Sequence, residues 1–190
     1  MSESMAAIVK IAFPNATLVL DCFHVLKRCN DATEELRLKY KREAQVEVLS
    51  TGDTVIELLT RTKYTLTQSR DKWTDTQKAR MTSLFEMFPK LKESYDMTNK
   101  LRSIFRSETL DKESARNKLH DWYKDTTNCT FREVKAARDS IKYREDEVLN
   151  YFVNRSTNAS AESMNSKIKS FRSQLRGVSD LPFFMYRLSK

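Results

Sequence analysis

Two glycines and three prolines in 190 residues leave this chain few places to make a tight turn. Sheets joined by short hairpins draw on both types, because glycine supplies positive φ and proline presets a turn. A chain this poor in them is expected to fold into long helices separated by polar breaks. Hydrophobic residues make up 39% of it, which suits a globular domain with a buried core and not a disordered polymer.

One short segment departs from the helical pattern. Thr17-Leu18-Val19-Leu20 is an apolar run rich in strand formers that stops at Asp21. A run of this kind bounded by a turn reads as a buried strand, and it is the one clear strand expected. Before it, Met5, Ile8, Val9 and Ala12 suit a helix over 4–11, broken by Pro14-Asn15. After it, Val25, Cys29, Ala32, Leu36 and Tyr40 recur at helical spacing. That predicts a helix from about His24 to Val48, ended by Gly52-Asp53, with lysines, arginines and glutamates outward.

The stretch 51–153 has no period-2 pattern and reads as an all-helical subdomain. Asp75 is the expected cap of a helix ending near Pro89, and Asp111 that of a helix through Trp122 and Tyr123. Leu91, Tyr95, Leu101, Ile104 and Phe105 suit another helix between them. Thr130 with Glu133 has capping-box spacing before a long helix to about Phe152. A polar break at Asn154–Asn158 precedes helices over 159–174 and 181–188, with Gly177 between.

The formal net charge of +8 favours a polyanionic partner, nucleic acid being the commonest. Three cysteines without framework or CxxC spacing argue against a disulfide scaffold and a zinc site, and suit a reducing cytoplasm. No apolar run is long enough to span a membrane.

Two carboxylates stand in positions where chemistry is done. Asp21 ends the expected strand, where open α/β sheets place their sites; an Asp before a helix is also an ordinary N-cap. On the helix 159–174, Met164, Ile168, Phe171 and Leu175 form the stripe expected to be buried. Glu162, Asn165, Ser166, Lys169 and Arg172 share a different face. That face is either an ordinary solvated one or a carboxylate placed beside cations. Together an Asp and a Glu could hold divalent metal through oxygen and support in-line phosphoryl transfer.

Two segments carry a family resemblance. Phe13-Pro14-Asn15-Ala16 followed by Asp21-Cys22-Phe23-His24-Val25 resembles the second-aspartate motif of bacterial insertion-sequence transposases of the DDE, RNase H-like superfamily. Asn154-Arg155-Ser156-Thr157-Asn158-Ala159-Ser160-Ala161-Glu162-Ser163-Met164-Asn165-Ser166-Lys167-Ile168-Lys169 resembles the glutamate motif of the same family. Arg172, Arg176-Gly177-Val178, Phe183-Phe184 and Arg187-Leu188 continue it. The resemblance implies that Asp21 and Glu162 are catalytic metal ligands for a pair of Mg²⁺ or Mn²⁺ ions. It implies hydrolysis at a transposon end, then attack of the freed 3′-OH on target DNA. Lys169 matches a basic residue that contacts DNA in such enzymes. Arg155, Lys167, Arg172 and Arg176 are the other expected DNA contacts, and His24 and Asn165 are expected to support the two carboxylates.

The fold expected is mainly α: a partial RNase H-like α/β core with a large all-helical insertion. Residues 1–50 and 154–190 belong to the core, and the 141 positions separating Asp21 from Glu162 accommodate the insertion at 51–153. Cys22 stands where the family usually has a basic residue. The first Asp of the triad and the N-terminal DNA-binding segments have no counterpart here. The expectation is therefore a C-terminal part of a transposase, inactive alone, in the bacterial cytoplasm and on the nucleoid when bound. Partners expected are transposon-end and target DNA and another copy of the chain, with no membrane and no small-molecule cofactor. The alternatives are a non-catalytic basic helical DNA-binding module and a decayed transposase remnant, in which an exposed strand edge at 17–20 would favour self-association.

Overall fold

The computed structural model describes residues 3–44, 54–129, 131–155, 157, 159–174 and 180–188. The chain divides into two compact units, Met1–Arg155 and Ser156–Lys190. The first unit contains α1 (Glu3–Ala12), α2 (Cys22–Glu43), α3 (Val55–Arg61), α4 (Asp75–Met87), α5 (Pro89–Arg106) and α6 (Lys112–Thr127). It continues through α7 (Arg132–Lys142), α8 (Glu145–Leu149) and α9 (Tyr151–Asn154). The second contains α10 (Ala159–Gln174) and α11 (Leu181–Leu188). The mainly α architecture is the one anticipated from the scarcity of glycine and proline.

The segment 17–20 is the principal local correction. It pairs with no strand, and no strand forms among the described residues. A strand needs a neighbour for its backbone polar groups, and helical segments take that place here. Leu20 N donates to the Glu147 carbonyl at 2.9 Å, and Asn150 Nδ2 donates to the Leu18 carbonyl at 2.9 Å. The same Asn150 accepts from Lys112 Nζ at 2.8 Å, tying the segment to α6. Leu18, Val19 and Leu20 are half-buried. The chain therefore enters α2 along a fixed path, and the edge groups named above are not free for another copy.

α2 is the axis of the first unit. Val25, Cys29, Ala32 and Leu36 are buried as their spacing demands, against α3, α5 and α7. Two polar contacts lock it there. Thr33 Oγ1 and Ser94 Oγ share a buried hydrogen bond of 2.8 Å. Buried Arg37 donates to the Leu59 carbonyl at 2.6 Å and pairs with Glu34 at 2.7 Å. A buried guanidinium is tolerable only when paired and hydrogen-bonded in this way. The helix ends at Glu43, earlier than Val48; Gly52-Asp53 lies outside the described residues. Val25, Cys29, Ala32 and Leu36 of α2 share one hydrophobic core with buried residues from Val55 to Phe152.

Side-chain caps mark several helix starts. Thr54 with Glu57 and Thr74 with Gln77 close reciprocal capping boxes, so α4 is capped by Thr74 and not by Asp75. Asp111 caps α6 as anticipated. Thr130 lies outside the described residues. The single long helix expected to reach Phe152 is instead three, bent at Tyr143-Arg144 and at Asn150. The run Lys142-Tyr-Arg-Glu-Asp-Glu147 offers the core no aliphatic side chain. The bend lets Ile141 on one side and Val148 and Leu149 on the other be buried. Trp73 and Trp122 are core residues, their indole N–H groups donating to the Thr65 and Met97 carbonyls.

In the second unit, Phe171 of α10 lies 6.0 Å from Phe184 of α11, ring to ring. Asp180 caps α11 by accepting from Phe183 N at 3.0 Å. The expected buried stripe of α10 is only partly realised. Ile168 and Phe171 are half-buried, Met164 is 54% exposed, and Leu175 lies outside the described residues.

Candidate active-site residues

Asp21 sits where the extended segment turns into α2. It is buried and in extended backbone geometry, φ −70° and ψ 160°, as an N-cap requires. Its Oδ1 accepts from His24 N at 3.0 Å and lies 2.7 Å from His24 Nδ1. One oxygen therefore serves both the helix end and the imidazole three residues on. With Nδ1 as the donor, His24 presents Nε2 as its remaining ring nitrogen. His24 is half-buried and stacks edge-on against exposed Phe23, with ring centroids 5.6 Å apart.

The neighbourhood of Asp21 is charged from another helix. Burial raises the Cys22 thiol pKa above its ordinary value, and the Asp21 carboxylate raises it further; Arg102 and Arg106 of α5 act the other way. Two arginines of α5 thus act on the position next to Asp21. Arg102 itself is buried, donating to Asn99 Oδ1 and to the Thr67 carbonyl. Burial is the largest cause of its lowered pKa.

Glu162 lies in the second unit, in the first turn of α10, where the helix dipole favours a carboxylate. Glu162, Asn165, Ser166, Lys167, Lys169 and Arg172 are all exposed. No hydrogen bond among the described residues joins Asn165 to Glu162. Arg176 lies outside the described residues.

Arg155 behaves differently from the other expected DNA contacts. Its guanidinium donates to the Phe105, Ser107 and Leu110 carbonyls. It also lies over the rings of Tyr151 and Phe152, at 6.0 and 5.7 Å. Its backbone is left-handed, φ 53°, closing α9. These contacts make Arg155 a clamp on the α5–α6 connection. The adjacent aromatic pair is the sequence signal for that role, since a guanidinium beside two rings has a packing partner within its own helix.

A transposase family model, DDE_Tnp_ISL3, matches residues 1–188 and so contains both carboxylate segments. The chain belongs to this transposase family. No curated protein and no solved structure matches the chain. Transposases act on DNA, and the family generally uses divalent metal. Asp21 and Glu162 are hard oxygen donors of the kind Mg²⁺ takes, and Mg²⁺ commonly keeps several waters beside one or two carboxylates. Each carboxylate is by itself a donor of that kind; no group of three or more His, Cys, Asp or Glu side chains gathers among the described residues. No helix among them is long and apolar enough to cross a membrane.

Proposed function

We propose that Asp21 and Glu162 are the metal-ligating carboxylates with which this transposase chain takes part in DNA cleavage and strand transfer. The observation that carries the reading is the family match across residues 1–188, which spans both motifs. The local setting of Asp21 agrees with it. A carboxylate held by a helix N–H and an imidazole keeps one orientation, as a ligand must. Divalent metal bound by such oxygens activates a water or 3′-OH and neutralises charge on the scissile phosphate. The chain's own residues do the rest. His24 holds Asp21 through Oδ1. Glu162 presents its carboxylate on an exposed helix face, and Lys167, Lys169 and Arg172 offer cations to the phosphate backbone.

The test is a manganese titration of the full chain followed by electron paramagnetic resonance. Asp21→Asn and Glu162→Gln are each expected to weaken Mn²⁺ binding by roughly tenfold or more. Unchanged affinity in both variants overturns the reading. With two of the three triad carboxylates named, the chain by itself is expected not to join DNA strands. Mg²⁺-dependent strand transfer by the purified chain would refute that expectation.

The exposure of Glu162, Lys167, Lys169 and Arg172 along α10 favours a second reading, a basic helical DNA-binding module without catalysis. It predicts salt-sensitive DNA binding that Glu162→Ala leaves unchanged, together with Mn²⁺ affinity indifferent to both carboxylates.

A further inference from the structure

Beside Asp21, on the outer edge of α2, lies a cavity of about 230 Å³. It is framed by α2 on one side and by the bend between α7 and α8 on the other. Val25 and Ile141 belong to its lining and to the hydrophobic core. His24, Lys27, Arg28, Asp31, Ser140 and Arg144 supply its polar groups. Three permanent cations thus face one carboxylate.

The cations are weakly committed elsewhere. Lys27 pairs with Asp31 at 2.7 Å, but both side chains are more than half exposed, so water screens the pair. Arg28 is exposed and makes no ion pair among the described residues. Arg144 is largely buried, its side chain 14% exposed, and touches Glu147 through Nη1 alone at 3.4 Å. A guanidinium has five N–H donors in a planar fork that matches phosphate. The contact to Glu147 engages one arm of that fork, and Arg144 lines the cavity. His24, already fixed by Asp21, lines the same wall.

We propose that this cavity seats a backbone phosphate of duplex DNA, held by Arg144 from within and by Lys27 and Arg28 at the rim. The geometry gives the sugar-phosphate backbone a contact about two helical turns along α2 from Asp21. The inference rests on the reading that this chain handles DNA, and it adds contacts on α2 and the α7–α8 bend that neither motif contains. Helix bending explains why the sequence hides it: Arg144 lies more than a hundred residues from Lys27 and Arg28.

The experiment is fluorescence anisotropy of a labelled DNA duplex with the full chain across a salt series. Removing one phosphate-binding cation lowers the slope of log K against log salt by about 0.9. The double variant Lys27→Ala/Arg28→Ala is expected to lower it by about 2, and Arg144→Gln by about 1. Lys118→Ala, an exposed lysine of α6, is expected to change nothing. Because Lys27 and Arg28 are exposed, their removal leaves the core intact. Asp31→Asn removes the opposing carboxylate and is expected to tighten binding roughly twofold. Inorganic phosphate at constant ionic strength is expected not to displace the duplex.

A salt slope that the double variant shares with wild type, while wild type binds DNA, overturns this inference and leaves the transposase reading standing. Displacement of the duplex by inorganic phosphate alone also overturns it, the cavity then being a site for the free ion. Failure of wild type to bind any duplex overturns it too. The metal ligands are judged separately by the manganese titration.

Discussion

Asp21 is asked to do two things, and one pair of substitutions separates them. Its Oδ1 caps α2 through His24 N and holds the His24 ring through Nδ1. Asp21→Ala removes the acceptor for both at once. Losing an N-cap costs about 1 kcal/mol, and losing a hydrogen bond to a charged acceptor about 1.5–3 kcal/mol. The two share one oxygen and do not add, so about 2 kcal/mol is expected. Asn is as good a cap as Asp and keeps a neutral acceptor for His24, so Asp21→Asn is expected to cost about 1 kcal/mol or less. For a chain of this size each kcal/mol moves Tm by about 2–4 °C, giving a fall of about 4–8 °C for Ala. Trp73 and Trp122 are both buried in the unit that Asp21 belongs to. Their fluorescence therefore reports its unfolding in urea, and the midpoint should shift without a change in m. If Asn restores stability while Mn²⁺ affinity stays low, cap and ligand are separate duties of one side chain. Equal destabilisation by Asn and Ala would refute the capping argument. Full Mn²⁺ affinity in the Asn variant would refute the ligand argument.

Three further outcomes follow from the packing. Leu119 is fully buried on α6, so Leu119→Ala is expected to cost about 2–5 kcal/mol, read as a lower urea midpoint; a cost under about 1 kcal/mol would mean the helix is not packed as described. Arg155 combines a left-handed backbone with a side-chain clamp, so Arg155→Gly keeps the conformation free of Cβ strain while Arg155→Ala does not. Both variants should be destabilised, with Ala worse by about 1 kcal/mol; the reverse order in thermal unfolding would refute the left-handed backbone at φ 53°, and wild-type stability in Arg155→Gly would refute the clamp. Burial pushes the Cys29 thiol up to about 12 from an ordinary 9.0. The native state then holds this proton more tightly than the unfolded state, so stability is fully present below pH 9 and falls as pH rises toward 12. Burial raises Tyr123 as well, with the same sign. A urea midpoint that falls with alkaline pH just as steeply in Cys29→Ala as in wild type would contradict the assignment to Cys29.

What is legible in the sequence is local and periodic. Val25, Cys29, Ala32 and Leu36 are buried where their spacing places them, and Asp111 caps its helix, because caps and apolar stripes act within a few residues. The segment 17–20 reads as a strand and is not one, because strand identity depends on a neighbour. The same apolar run satisfies its backbone on Glu147 and Asn150 when helices flank it. The bends at Tyr143-Arg144 and Asn150 are hidden for a related reason. Neither is marked by glycine or proline, and each is made by distant contacts that the run 142–147 cannot reveal by itself.

The two carboxylate motifs differ in how their signals relate to packing. Asp21 is specified twice, once as a motif residue and once as the cap on which α2 and therefore the first unit's core depends. Folding alone would keep an Asp or Asn there, so its presence says less about chemistry than its motif does. Glu162 is the converse. Its face makes no demand on the core, since Glu162, Asn165, Lys169 and Arg172 are exposed and even Met164 is 54% exposed. Stability gives no reason for this particular order of carboxylate, amide and cations on α10, beyond a small dipole preference at its first turn. An exposed helix face tolerates most substitutions within about 0.5 kcal/mol. For that reason loss of metal or DNA binding without loss of stability is the informative result at Glu162, whereas at Asp21 it must first be separated from the cap.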